Sequence, residues 1–179
     1  MAQLPNPIPT LSGEGRAIFD ELQAEREAKG SSVSGPYVPL MNHPQLAKRV
    51  EELGFFLKFE GSLPRPVYQF VVLSVAKRSG VAFVWEDHVA AARAAGVPET
   101  LIGAISAGST AYDPPYDLAF HVMDCAFAYR SIPADLQDRA IAAFGIEGFI
   151  EIVVLCGEYV LMSMVNGCFD VSEPKGRAH

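Results

Sequence analysis

Arg65-Pro66-Val67-Tyr68-Gln69-Phe70-Val71-Val72-Leu73-Ser74-Val75-Ala76-Lys77-Arg78-Ser79 is the stretch whose reading decides the fold. Its interior, 67–75, is rich enough in β-branched residues to pass for a strand. Its length and its flanks belong to a helix: Pro64 and Pro66 sit where the first turn tolerates proline, and Gly80 stops it. Phe70, Val71, Val72, Leu73, Val75 and Ala76 make it apolar nearly all round, so it should run through the centre of the protein. Upstream, Ser12 can cap a helix over 12–29, with Ala17, Ile18, Leu22 and Ala28 toward one side and Gly30 as the stop. A loop over 30–41 follows. Next comes a helix over 44–60 with Leu46, Val50, Leu53, Phe56 and Leu57 at helical spacing. Downstream, helices are expected over 83–95, 98–108, 116–131, 133–145 and 147–170, punctuated by Gly96, Pro98, Gly108, Pro114, Pro115, Pro133 and Gly145. Few alternating runs survive. The expectation is an all-α bundle of about eight helices in one domain, 1–179, with tails over 1–10 and 172–179.

A chain of 179 residues is ample for a hydrophobic core, and its apolar share of 50% is that of a globular protein. A net charge of −7, with 14 basic residues and no basic run, argues against nucleic acid. The three cysteines, Cys125, Cys156 and Cys168, match no zinc or disulfide spacing. They are expected to be reduced thiols of a cytoplasmic protein, and neither a metal nor a cofactor is expected. The apolar run 149–165 is slightly short for a span of about 20 residues and contains Glu151 and Glu158. It reads as a buried helix rather than a membrane segment.

His179 falls in the closing tail. His43 precedes Pro44 at a helix entrance. His121 shares a polar stripe with Asp117 and Asp124, where an Asp117–His121 pair is expected. His88 differs. At about 100° per residue it shares one face with Trp85, Val89 and Ala92, while Glu86 and Arg93 lie on another. It should therefore point inward, either as a core histidine satisfied by a hydrogen bond or as a general acid or base. Glu158, midway along the most apolar helix, needs a partner or a shifted pKa unless that face meets solvent between subunits.

Three motifs in order, Gly35-Pro36-Tyr37, His43-Pro44-Gln45-Leu46-Ala47 and Phe59-Glu60-Gly61-Ser62-Leu63-Pro64, resemble the carboxymuconolactone decarboxylase-like family of the alkylhydroperoxidase D superfamily. Trp85-Glu86-Asp87-His88 followed by Ala92-Arg93-Ala94-Ala95-Gly96-Val97 is similar to its tryptophan-x-x-histidine hallmark. Gly157-Glu158-Tyr159 and Asn166 resemble its last helix. The resemblance covers nearly all of 11–171. It implies an all-helical fold assembled as a homotrimer or homohexamer. It also limits what can be transferred. The peroxidase branch carries Cys-x-x-Cys ahead of the histidine, and those two positions hold Ala82 and Trp85 here. The relay glutamate position holds Gln69, and the position where the non-redox branch often keeps a glutamate holds Val84. Dithiol peroxidase chemistry needs a nucleophilic thiolate and a resolving thiol, so it is not expected at that site.

The resulting expectation is a non-redox proton-transfer enzyme acting on a small organic acid or lactone by decarboxylation, isomerisation or hydration. His88 would move the proton and Glu60 and Glu158 would orient its imidazole. Gln69 would donate to a substrate oxygen, and Trp85, Tyr37, His43 and Tyr159 would contact the substrate. The alternatives are a catalytically silent small-molecule-binding oligomer and, less favoured, thiol redox chemistry as in the superfamily. All three cysteines lie in apolar helical runs where thiols tend to be inert.

Overall fold

The computed structural model describes residues 4–171; the closing tail with His179 and the first three residues lie outside it. Among the described residues there are eight α-helices and no strand. In chain order they are α1 (Gly13–Glu27), α2 (Tyr37–Leu40), α3 (Pro44–Phe55), α4 (Arg65–Ser79), α5 (Ala82–Ala94), α6 (Glu99–Ala107), α7 (Tyr116–Phe127) and α8 (Ala134–Cys168). The loop expected over 30–41 contains the short α2, and the residues after α3 continue as a π-helical turn, Phe56–Glu60. Helix α8 is broken at Gly145, whose φ of 72° and ψ of 167° only glycine adopts readily, so 134–144 and 146–168 are separate helical runs. The chain divides into two compact units, one of 1–56 with 164–179 and one of 57–163.

In the second unit α4 is the axis. Every residue from Val67 to Ala76 is buried, and α4 packs against α5, α6 and α7. Gly80 closes the helix in the left-handed conformation, its N–H returning to the Ala76 carbonyl. The 146–168 run is not wholly buried as expected. Ile152, Leu155, Cys156 and Tyr159 face inward, whereas Ile146, Ile150, Val153, Val154 and Leu161 are exposed. By length and hydropathy α8 could cross a membrane. Its Glu151, however, is built into the fold. The carboxylate accepts the backbone N–H groups of Ser62 at 2.8 Å and Leu63 at 3.0 Å. Gly61 leaves the room for this, since a Cβ there would lie 2.8 Å from Glu151 Oε2.

The first unit inverts an expectation. On α3 the inward face is Ala47, Glu51 and Gly54, while Leu46 and Leu53 are exposed and Val50 is half-buried; just beyond its end Phe56 is 46% exposed and Leu57 is buried as its spacing suggested. On α1 the buried residues are Ile18, Leu22 and Arg26, and Ala17 and Ala28 are exposed. The reason is an ion pair. Arg26 meets Glu51 through two parallel N–H to oxygen contacts, and the guanidinium stacks 4.4 Å from the centre of the Tyr37 ring. A buried pair of this kind dictates which face turns inward more firmly than the loss of a few exposed leucines, because an orphaned buried charge costs about 3–5 kcal/mol.

Candidate functional site

Three helices of the second unit bring four polar side chains together. Tyr68 and Gln69 come from the most buried part of α4. His88 comes from α5, whose inward stripe is Val84, His88 and Ala92. Tyr159 comes from α8. Gln69 Oε1 is 3.1 Å from His88 Nδ1, and the Tyr159 hydroxyl is 3.1 Å from His88 Nε2. The Tyr68 hydroxyl is 2.9 Å from that of Tyr159. The Tyr159 ring stands edge-on to the imidazole, with centroids 5.1 Å apart and planes at 82°.

The heavy atoms define a consistent proton assignment. Nδ1–H donates to the Gln69 carbonyl, Nε2 accepts from the Tyr159 hydroxyl, and the Tyr159 oxygen accepts from Tyr68. Burial pushes the His88 pKa down to about 4. Asp87, whose Oδ2 is 3.8 Å from Nε2, opposes that shift, and the positive charges of Lys58 and Arg65 add to it. The imidazole is therefore neutral at pH 7. One group of the cluster is left over. The Gln69 side chain is fully buried, and its Nε2 has no hydrogen-bond partner among the described residues. A buried amide N–H left unpaired costs about 1–3 kcal/mol, which a bound acceptor would recover.

His88 thus points inward as its periodicity requires, with Trp85 half-buried against the same core. Gln69 and Tyr159 meet the two nitrogens of the imidazole that Glu60 and Glu158 were expected to orient. Glu60 is exposed at the end of the π-helical turn, and Glu158 is buried on α8. Gln69 has a double part: its carbonyl holds the histidine, and its amide N–H is the spare donor. Tyr37 and His43 belong to the first unit. There Tyr37 carries Arg26, and the His43 ring caps α3 by accepting the Leu46 N–H at 3.3 Å. Asp117 pairs with Arg139 at 3.5 Å instead of with His121, which is exposed.

Tyr68 and Asp87 were missed by the sequence reading. Tyr68 left a signal, since a tyrosine inside an otherwise apolar helix needs a partner for its hydroxyl. The Arg65 guanidinium lies 4.5 Å from the centre of the Tyr68 ring and donates to the Lys58 carbonyl, so Arg65 and Lys58 as well as the Asp87 carboxylate stand around the cluster. Of the thiols, Cys125 and Cys156 are buried, and burial pushes Cys156 up to about 12. Cys168, read with the other two as lying in an apolar helical run, is exposed. Among the described residues no group of three His, Cys, Asp or Glu side chains could hold a metal ion.

A solved structure from Agrobacterium tumefaciens is similar to this chain. It is a protein of unknown function provisionally described as an antioxidant defence protein AhpD. The match has a TM-score of 0.64 at 21% identity and covers 80% of this chain and 100% of that one. The fold is therefore alkylhydroperoxidase D-like. No protein-family model matches the chain. No curated protein does either.

Proposed function

We propose that this chain is a non-redox proton-transfer enzyme of the carboxymuconolactone decarboxylase-like kind, acting in the cytoplasm on a small organic acid or lactone by decarboxylation, isomerisation or hydration beside a carbonyl. The observation that carries the reading is the buried Tyr68–Tyr159–His88–Gln69 chain with an unused amide N–H at its end. A substrate proton would pass to the Tyr159 oxygen while the Tyr159 proton passes to His88 Nε2, so no tyrosinate forms. The Gln69 amide N–H would donate to the substrate oxygen that gains charge. An imidazole with a pKa near 4 is a weak base and, once protonated, a strong acid. It suits a substrate that is already acidic next to its carbonyl, and it returns the proton quickly. Lys58 and Arg65 would offer an anionic substrate two positive charges against the one negative charge of Asp87.

Solvent-deuterium incorporation into small lactones and oxo acids, followed by NMR, tests this reading. His88→Gln should lower the exchange or turnover rate by about 10²–10⁴, the usual contribution of general acid–base catalysis. Stability should fall by only about 1–3 kcal/mol. Full activity in a folded His88→Gln protein would overturn the mechanism and favour the silent binding module.

We further propose assembly as a homotrimer or homohexamer. The support is the row Ile146, Ile150, Val153, Val154 and Leu161 along one side of α8, with Leu46, Leu53 and Phe56 on α3, apolar faces that a lone chain leaves in water. Light scattering should give an oligomeric mass, and Ile150→Glu combined with Val154→Glu should reduce it. A monomer at micromolar concentration in the unaltered protein would refute this.

A further inference from the structure

A cavity in the unit 57–163 shares no residue with the His88 cluster. It encloses about 150 Å3 between the C-terminal half of α4, the end of α6 with the loop after it, and α7. A cavity of that size is large enough for a benzene-sized molecule. Its walls are apolar: Ile105 and Met123 are buried, and the rings of Tyr112 and Phe120 pack with centroids 5.1 Å apart.

Polar residues interrupt those walls: Ser74, Ser109 and Thr110, and the charged Lys77, Arg78 and Asp124. Ser74 lines the cavity and is nine-tenths buried, and its Oγ has no hydrogen-bond partner among the described residues. Serines on helices commonly return their hydroxyl to a carbonyl of the preceding turn, as Ser79 does to Val75 at 2.9 Å. Ser74 does not. One turn further on α4, on the same side, come Lys77 and Arg78. The Arg78 charge is already answered by Asp124 at 3.0 Å, and Asp124 is also held by Arg130 at 3.0 Å. Lys77 is exposed and has no ion-pair partner among the described residues.

We propose that this cavity is a binding site for a small aromatic monocarboxylate of the benzoate class. The ring would fill the apolar space against Phe120, Tyr112, Met123 and Ile105. The carboxylate would face Lys77, and Ser74 Oγ would find its missing partner on the ligand. The charge pattern favours an anion: Lys77 is uncommitted, and the Asp124 carboxylate is outnumbered by Arg78 and Arg130. The cavity volume of about 150 Å3 limits the apolar part of that anion to a single ring. The apolar walls disfavour a strongly hydrated inorganic anion, which would lose its water without replacement.

The experiment is calorimetric or NMR titration of the full-length chain with benzoate, and with benzyl alcohol as a neutral probe of similar shape. Benzoate should saturate one site per chain, and benzyl alcohol should bind at least about tenfold more weakly, equivalent to about 1.4 kcal/mol. Lys77→Gln should weaken benzoate by a similar factor. Ser74→Ala should weaken it by about threefold without lowering the melting temperature, because removing an orphaned hydroxyl leaves no partner behind. His88→Gln should leave benzoate affinity unchanged, which separates this site from the proposed catalytic one. Failure of benzoate to saturate, equal affinity for benzyl alcohol, or unchanged affinity in folded Lys77→Gln would each overturn the proposal. So would loss of binding in His88→Gln with retention in Lys77→Gln.

Discussion

The two units each bury a polar cluster, and the clusters differ in kind. In the first, Arg26 and Glu51 are charged, meet through parallel contacts, and are covered by the Tyr37 ring. In the second, Gln69, His88, Tyr159 and Tyr68 are neutral, linked in a single file, and leave the Gln69 amide N–H unused. A saturated buried pair answers its own desolvation and has nothing left to offer a ligand. A chain with a spare donor is incomplete without one. The unpaired Gln69 amide distinguishes the second cluster from the first.

The largest expected effect sharpens this contrast. Arg26→Met leaves Glu51 buried without its counter-charge and should cost about 3–5 kcal/mol of stability. Turnover per folded molecule should be unchanged, the reverse of the pattern expected for His88→Gln. Denaturant unfolding and turnover on the same preparations would show it. Equal behaviour of the two variants would erase the distinction between the clusters.

A somewhat smaller effect appears with pH. His88 is held neutral in the folded protein down to about pH 4, whereas the unfolded chain takes up that proton near 6.5. The folded pKa is the lower one. Its contribution is therefore fully present above pH 6.5, shrinks as pH falls from 6.5 toward 4, and changes no further below that. The loss is on the order of 3 kcal/mol. Urea unfolding at pH 7 and pH 4.5 should show a steeper loss in the native protein than in His88→Gln. Parallel losses would mean that His88 titrates normally.

The smallest expected effect concerns the thiols. Replacing Cys125, Cys156 and Cys168 together should leave turnover within about tenfold in a folded protein, or about 1.4 kcal/mol of barrier. Hydroperoxide reduction with a dithiol donor should stay at background. Total loss of activity in the folded triple variant would return the chemistry to sulfur.

Much of the fold was legible because it rests on local rules. The length of α4, its proline entrance and its Gly80 exit are set within the helix itself. The interruption at Gly145 is set by one residue's freedom of φ. Periodicity also placed His88 inward, since facing on a helix follows from spacing alone. The same rule failed on α3. Of the apolar row Leu46, Val50, Leu53, Phe56 and Leu57 only Leu57 is buried, while Glu51 turns inward to a partner on α1 that lies 25 residues away in the chain.

What the sequence by itself determined is therefore the class: all-helical, with α4 at the centre of its unit and an inward histidine on α5. What only the tertiary structure decided is the company each polar residue keeps. Tyr68 and Tyr159 are 91 residues apart and share a hydrogen bond, and Ser62 is 89 residues from the Glu151 carboxylate that holds its backbone. Helical spacing fixes direction within one element. It carries no information about which distant helix supplies the group that a buried hydroxyl, amide or carboxylate must meet. That choice is made by packing, under the penalty for leaving such a group unpaired.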